Sequence, residues 1–200
     1  MGQDLYQTFP VARALFAQAD TILGFALSDL CFAGPADVLT DTINQQPALL
    51  TTSIAALRVL SSSQRSQGAL PSPAFVAGHS VGEYAALVAA EALDFGDAVR
   101  LVRERGRLMK EAGERHPGGM AAILGLDDAT VEAVCQEASR QAGGSVVCAN
   151  FNAPGQVVIS GEKAALEVAS ELARAHGARR VIPLPITIAA HSPLLQEAAR

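Results

Sequence analysis

Gly78-His79-Ser80-Val81-Gly82 is the stretch of this sequence that decides the fold. The short apolar run before it, Pro73–Ala77, follows Pro71 and predicts a buried strand. The residues after it, Glu83–Ala90, are mostly good helix formers and predict a helix. A strand, a Gly-x-Ser-x-Gly turn and a helix in this order are typical of an α/β protein that exposes a serine at a sharp turn.

Ser80 is the candidate nucleophile of this turn. We expect Gly78 and Gly82 to let the strand and the helix approach closely around a strained serine. The helix begins next to the hydroxyl, so the Val81 amide and the positive end of the helix dipole could stabilise an oxyanion there. The motif therefore predicts nucleophilic catalysis by Ser80.

The composition restricts the class of protein. The 200 residues are 50% hydrophobic, enough for the core of one domain, with or without an insertion. A net charge of −5 argues against a nucleic-acid surface. We find no apolar run long enough for a membrane span and no signal-peptide pattern. Three scattered cysteines without metal-ligand spacing predict reduced thiols in a cytoplasmic protein: Cys31, Cys135 and Cys148.

The second half of the chain has a different pattern from the first. Strands and helices follow in the order β-α-β-β-α-β, with strands at 120–124, 145–149, 156–159 and 180–184 and helices at 127–141 and 163–176. That order predicts a ferredoxin-like subdomain, residues 117–185, inserted into a main domain of residues 1–116 and 186–200. The main domain keeps one convincing strand, at 74–78, although a parallel sheet needs several. We therefore expect an incomplete α/β core.

A serine nucleophile needs a base, and the chain has four histidines. Three of them are explained more simply by their positions. His176 lies at a helix end, His116 in a polar turn and His79 within the serine motif itself. The fourth, His191, follows an apolar run and begins His-Ser-Pro, which is typical of a helix start. Its spacing leaves open whether His191 is the base or a core or capping residue.

Arg105 falls inside an apolar stripe of the helix predicted at 95–112. The stripe has helical spacing and consists of Ala98, Leu101, Val102, Leu108, Met109 and Ala112. A guanidinium directed inward needs an anion, because an unpaired buried charge is unfavourable. That anion is either Glu83 or a substrate carboxylate bound by the guanidinium fork, and the spacing leaves both open. The other arginines of this helix fall outside the stripe, and we expect them to be solvated: Arg100, Arg103 and Arg107.

Five segments of the chain occur together in collinear order: Gln45–Leu49, Gly78–Leu87, Arg103–Met109, Asn150–Ile159 and Ala190–Ser192. In this combination they resemble the malonyl-CoA:acyl carrier protein transacylase family, which includes the stand-alone enzyme of fatty-acid synthesis and the acyltransferase domains of polyketide synthases. The resemblance implies an α/β-hydrolase-like core with an inserted ferredoxin-like subdomain. It also implies truncation at both ends, since family members begin with a strand and a Gly-Gln-Gly-Ser-Gln loop and continue well beyond the histidine.

The resemblance implies a role for each site residue. Ser80 becomes the acylated nucleophile, His191 its base and Arg105 the group that binds the malonyl carboxylate. The remaining substrate-binding residues would be Gln46 in the acyl pocket, Val81 as an oxyanion-hole amide, Met109, and Ala190 before the histidine. Because Ala190 is small, it leaves the choice between malonyl and methylmalonyl groups open.

The implied reaction is ping-pong transfer of a malonyl group from malonyl-CoA to the phosphopantetheine thiol of acyl carrier protein, without a cofactor or metal. The partners would be acyl carrier protein and a coenzyme A thioester, with no nucleic acid and no membrane. An acidic carrier protein could bind a basic set of residues: Lys163, Arg174, Arg179 and Arg180.

Two alternatives remain at this stage. A serine hydrolase or thioesterase would share Ser80 and His191, but it would have less use for Arg105. A catalytically inactive fragment would follow from the missing oxyanion loop and the missing strands.

Overall fold

The computed structural model describes residues 1–64 and 73–199. The chain divides into two compact units, Met1–Arg107 and Leu108–Arg200. The described part of the first unit is helical, whereas the second combines helices with a four-stranded sheet. This content confirms the α/β class.

The first unit consists of helices joined by short turns. Their bounds are α1 (Gln3–Thr8), α2 (Pro10–Leu23), α3 (Leu27–Ala33), α4 (Ala36–Thr40), α5 (Thr42–Gln64), α6 (Gly82–Ala89) and the beginning of α7 (Phe95–Arg115). Phe16, Leu50, Ile54 and Val99 from α2, α5 and α7 are fully buried in one core. No single helix of the described residues is long and apolar enough to cross a membrane, but α2 and α3, bent by 118°, meet that criterion as a pair.

Helices α5 and α7 meet at a close approach that positions the site. A Cβ on Gly106 of α7 would lie 2.7 Å from the carbonyl oxygen of Thr42 and 2.8 Å from the Cα of Ile43. A side chain at position 106 would therefore force the two helices apart. The glycine brings the flank of α7 directly against the first turn of α5.

The strand predicted at 73–78 does not form. The described residues of this segment belong to no sheet, and Phe75 is 93% exposed. A strand needs a neighbour to satisfy its backbone hydrogen bonds, and the rest of the described first unit is helices and turns. Pro71, which precedes the predicted apolar run, lies outside the described residues.

The second unit has the element order expected from the sequence. After the end of α7 come β1 (Gly118–Leu124), α8 (Asp128–Ala142), β2 (Val146–Ala153), β3 (Gln156–Glu162), α9 (Lys163–Ala175), β4 (Arg180–Pro183) and a 3-10 turn (Pro193–Leu195). The strand order across the sheet is β2-β3-β1-β4, and every neighbouring pair is antiparallel.

The two central strands of the sheet, β1 and β3, are buried on both faces. Residues of β1 alternate, so that Ile123 packs in the core that contains α8 and α9, whereas Met120 and Ala122 pack on the other face. Ala190 packs against this second face. A Cβ on Gly118 would lie 2.7 Å from the Cβ of Ala189, so the segment that leads to His191 passes very close to the start of β1.

Candidate active site

The turn around Ser80 is tight and strained. Ser80 has φ +54°, a left-handed conformation that is unfavourable for a residue with a side chain. A Cβ on Gly78 would lie only 2.0 Å from the carbonyl carbon and oxygen of Gly82, so position 78 must be glycine. A Cβ on Gly82 would meet no described atom within 4 Å. The expected close approach is therefore right for Gly78 and wrong for Gly82, which begins α6 with open space beside it.

The backbone amides after Ser80 differ in whether they donate to a backbone carbonyl. The amides of Gly82, Glu83 and Tyr84 donate to carbonyls three residues earlier, at 2.9, 3.1 and 3.2 Å. The Val81 amide has no carbonyl acceptor among the described residues, as is usual for the first amides of a helix. It is thus available to an oxygen that approaches Ser80 at the positive end of α6.

Arg105 connects two of the predicted site residues. Its Nη1 donates a hydrogen bond of 2.5 Å to Oε1 of Gln46, and its Nη2 donates one of 3.1 Å to Oγ of Ser80. These two bonds leave further N–H groups of the guanidinium for a ligand. The guanidinium of Arg105 therefore links Gln46 to Ser80 through two hydrogen bonds within the first unit.

The amide of Gln46 is held on its other side by Thr42. Gln46 Nε2 donates a hydrogen bond of 2.8 Å to Oγ1 of Thr42, one turn earlier on α5. Because the nitrogen is occupied there, the amide oxygen points to Arg105. Gln46 is only 4% exposed, so its side chain has little freedom to choose another partner.

Among the described residues, Arg105 forms no ion pair with a carboxylate. Burial lowers the pKa of Arg105, while the more distant charges of Tyr84 and Glu83 act in the opposite direction. The expected alternative of a direct pair with Glu83 is wrong. A positive charge held beside the serine hydroxyl remains for an external anion.

The sequence predicts that the other arginines of α7 are solvated, and this is wrong for Arg103. Arg103 is not merely solvated: it donates to the carbonyl of Ile43 at 2.9 Å and to the side chain of Asn44, and it lies 5.0 Å from the Phe25 ring. The Ile43 carbonyl is available because Pro47, four residues later, has no N–H to donate to it. Arg100 and Arg107 are exposed and pair with acidic residues on their own helix, as expected. Within the predicted stripe, Leu101 is 47% exposed, contrary to expectation.

The remaining predicted site residues belong to the second unit. His191 has φ +57°, and the residue after it forms the cap of the 3-10 turn. Ser192 Oγ donates to the carbonyl of Ala189 at 2.7 Å and accepts from the amide of Leu194 at 3.3 Å. The predicted helix start at His-Ser-Pro is therefore confirmed as a short turn. Ala190 lies on the sheet, and Met109 is half-buried on α7.

Sequence reasoning missed Thr42 and the contacts of Arg103. Thr42 lies four residues before Gln46, a spacing at which helical side chains meet, so the sequence could have predicted this contact. The contacts of Arg103 with α5 had no such local signal. Among the described residues, no cluster of His, Cys, Asp and Glu could hold a metal ion. The absence of a cofactor stays a prediction.

The acyl transferase domain family matches this chain over residues 1–200, and the chain belongs to that family. It is 48% identical over 200 residues to the malonyl CoA-acyl carrier protein transacylase of Escherichia coli (strain K12), covering 100% of this chain and 62% of the relative. It is 49% identical over 199 residues to the Bacillus subtilis (strain 168) protein of the same name, covering 100% and 61%. The resemblance identified from the motifs is thereby confirmed, and the chain spans less than two thirds of these curated relatives.

Solved structures agree with this assignment. The malonyl CoA-acyl carrier protein transacylase of Coxiella burnetii superposes with a TM-score of 0.92 at 40% identity, covering 100% of this chain and 61% of that one. A malonyl-transacylase in complex with its type II PKS acyl-carrier protein superposes with a TM-score of 0.91 at 44% identity, covering 100% and 62%.

Proposed function

We propose that this chain transfers a malonyl group from malonyl-CoA to the phosphopantetheine thiol of acyl carrier protein through a malonyl-serine at Ser80. The observation that carries the proposal is the position of Arg105, which donates to Ser80 Oγ and has no carboxylate partner in the described part of the chain. A hydrolase of neutral acyl esters has no use for such a charge. An acyl group with a free carboxylate does, because a guanidinium binds a carboxylate in bidentate geometry.

The proposed first half-reaction forms the acyl-enzyme. Ser80 Oγ attacks the thioester carbonyl carbon of malonyl-CoA, and His191 accepts the hydroxyl proton. The carbonyl oxygen becomes an oxyanion, which the Val81 amide and the helix dipole of α6 stabilise. The tetrahedral intermediate then collapses, and the coenzyme A thiol leaves with the proton from His191.

In the second half-reaction, the phosphopantetheine thiol of the carrier protein gives its proton to His191 and attacks the malonyl-serine carbonyl. Collapse of this second intermediate releases malonyl-carrier protein and returns the proton to Ser80. In both steps Arg105 binds the malonyl carboxylate, and Gln46 holds the guanidinium in place. Met109 and Ala190 are the further residues proposed to bind substrate.

The proposed domain organisation follows the same assignment. Residues 117–185 form a ferredoxin-like subdomain, and residues 1–116 and 186–200 belong to an α/β-hydrolase-like core. The β-α-β-β-α-β order, together with the antiparallel strand order β2-β3-β1-β4, supports the subdomain. The strained serine turn at the start of α6 supports the core.

The carrier protein and the location are also part of this proposal. Three of the four basic residues considered from sequence, Arg174, Arg179 and Arg180, are exposed at the end of α9 and the start of β4. Lys163 begins α9, about 16 Å away along the helix from Arg174, so it does not belong to the same cluster. The three arginines would receive an acidic carrier protein. A cytoplasmic location agrees with three free cysteines.

The test is the acyl-enzyme itself. We would incubate the 200-residue chain with malonyl-CoA and measure its intact mass, with Ser80→Ala as the control. A malonyl adduct that requires Ser80 is the expected result. Free malonate without carrier protein, at a rate that matches adduct formation, would instead identify a thioesterase. A folded chain that forms no adduct would contradict activity of this chain.

A further inference from the structure

Two of the three cysteines lie side by side in the second unit. Cys135 is on α8 and Cys148 is on β2, and their Sγ atoms are 4.0 Å apart. Both are free thiols. Neither has a role in the proposed transfer reaction, so their contact needs a separate explanation.

The two thiols differ in access to solvent. Cys135 is 3% exposed and belongs to the core between the helices and the sheet. Cys148 is half-buried, and both thiols line an open surface cavity of about 750 Å³, together with Phe151 and Arg140. Because more of Cys148 than of Cys135 is exposed, a small reagent in this cavity meets Cys148 more readily.

The two thiols also differ in acidity. The sulfur–sulfur contact with Cys135 lowers the pKa of Cys148, although burial and the charges of Glu132 and Asp128 raise it. The same contact raises the pKa of Cys135, and burial adds to that effect. The thiolate is the form that reacts with oxidants, so the lowered pKa of Cys148 acts in the same direction as its greater exposure.

We propose that Cys148 and Cys135 form a peroxide-reactive thiol pair, in which Cys148 is oxidised first and Cys135 closes a disulfide. The Cys148 thiolate attacks one peroxide oxygen, the O–O bond breaks, and the released hydroxide is protonated to water; the sulfur becomes a sulfenic acid. The Cys135 sulfur then attacks the Cys148 sulfur, an S–S bond forms, the S–O bond breaks, and a second water leaves. Overall, two thiols and one peroxide give one disulfide and two waters.

The geometry permits the second step. The sulfurs lie on adjacent elements and must close from 4.0 Å to about 2.05 Å, the length of a disulfide. Cys31 provides a natural comparison within the same chain. It is buried in the first unit, and burial raises its pKa, so it lacks both the access and the acidity of Cys148.

The experiment treats the folded 200-residue chain with a small excess of hydrogen peroxide and follows intact mass and peptide maps. We expect a loss of about 2 Da, a cross-linked peptide that joins Cys135 to Cys148, and reversal by a thiol reductant. Cys31→Ser should behave as the unsubstituted chain does. Cys148→Ser should abolish the loss of mass, and Cys135→Ser should leave a Cys148 sulfenic acid, about 16 Da heavier, that a 1,3-diketone traps.

Three results would overturn the proposal. One is a sulfenic acid that persists on Cys148 while Cys135 stays reduced in the unsubstituted chain. Another is oxidation of Cys31 at the rate of Cys148. The third is a cross-link that forms equally fast in the chain unfolded in urea, since proximity in the fold would then be irrelevant. The measurement on the unsubstituted chain does not depend on whether any variant folds, and it is independent of Ser80 activity.

Discussion

Nη2 of Arg105 donates a hydrogen bond of 3.1 Å to Oγ of Ser80 across 25 positions of sequence. The charge that would select a carboxylate and the oxygen that would carry the acyl group are therefore direct neighbours. Gly106 makes this possible, because it lets α7 lie against the first turn of α5, one turn before Gln46, which holds the same guanidinium.

Replacing Arg105 with Ala should remove the preference for malonyl-CoA over acetyl-CoA. Hydrogen bonds to charged groups contribute about 1.5–3 kcal/mol, so we expect the malonyl rate to fall roughly 10- to 100-fold while the acetyl rate changes little. Intact-mass measurement of acylation with each thioester checks this. Arg105→Lys keeps the charge but cannot reach Gln46 and Ser80 together, so it should recover only part of the preference. Full malonyl preference in Arg105→Ala would contradict the assigned role.

Thr42 should act through Gln46 on the same selectivity. In Thr42→Val the amide of Gln46 loses the acceptor of its 2.8 Å hydrogen bond and is free to turn away from Arg105. We expect the ratio of malonyl to acetyl rates to fall roughly 2- to 10-fold, the effect of about one neutral hydrogen bond. Thr42→Ser keeps the hydroxyl and should keep the ratio. If both variants lose stability but neither changes the ratio, Thr42 has only a structural role.

The two glycines of the serine motif should respond differently to alanine. A Cβ at position 78 would lie 2.0 Å from Gly82, whereas a Cβ at position 82 meets nothing described within 4 Å. Gly78→Ala should destabilise the chain by about 1–3 kcal/mol and abolish acylation of Ser80, as overpacked sites do. Gly82→Ala should leave stability nearly unchanged. Denaturant unfolding and intact mass check both, and equal losses in the two variants would refute the steric argument.

Asp127 should make the stability of the second unit depend on pH. It caps α8, and hydrogen bonds from the amide and the hydroxyl of Thr130 hold its pKa below the ordinary 3.8. A lowered pKa means that the stabilisation is complete above 3.8 and is lost as pH falls through the lower folded value.

Asp127→Ala should therefore unfold at a lower temperature than the unsubstituted chain at neutral pH, and the difference should shrink in acid. Asp127→Asn keeps an acceptor oxygen but does not titrate, so it serves as the control. Thermal unfolding followed at several pH values decides the matter. A difference between Asp127→Ala and the unsubstituted chain that stays constant into acid would show that the carboxylate charge contributes nothing.

Ser192 should support the reactivity of His191. Its hydroxyl donates to the Ala189 carbonyl and accepts from the Leu194 amide. These two hydrogen bonds connect the residues on either side of His191, whose backbone is strained. Ser192→Ala should lower the rate of Ser80 acylation and shift its pH profile, because the imidazole loses its fixed position, whereas Ser192→Thr should retain both. An unchanged pH profile in Ser192→Ala would limit Ser192 to capping the turn.

The elements of the second unit were predictable because their signals are local. The order of strands and helices agrees with the prediction, and Asp127 caps α8 through a hydrogen bond from an amide three residues later. Such caps and alternating apolar residues act within a few positions of sequence, so pattern reading captures them. The prediction of a strand at 73–78 was wrong because a strand depends on a partner elsewhere in the structure, which no local signal reports.

By itself, the sequence determined the strained turn that exposes Ser80, the strand and helix order of the second unit and the family. It also marked Arg105 as an unusual residue, because a charge in an apolar stripe needs an anion. Only the tertiary structure showed that Arg105 forms no ion pair with Glu83, and only it placed Gln46, held by Thr42, beside the guanidinium. The physical reason is distance along the chain: Gln46 and Arg105 are 59 positions apart, and a contact between two helices leaves no periodic signal in either one.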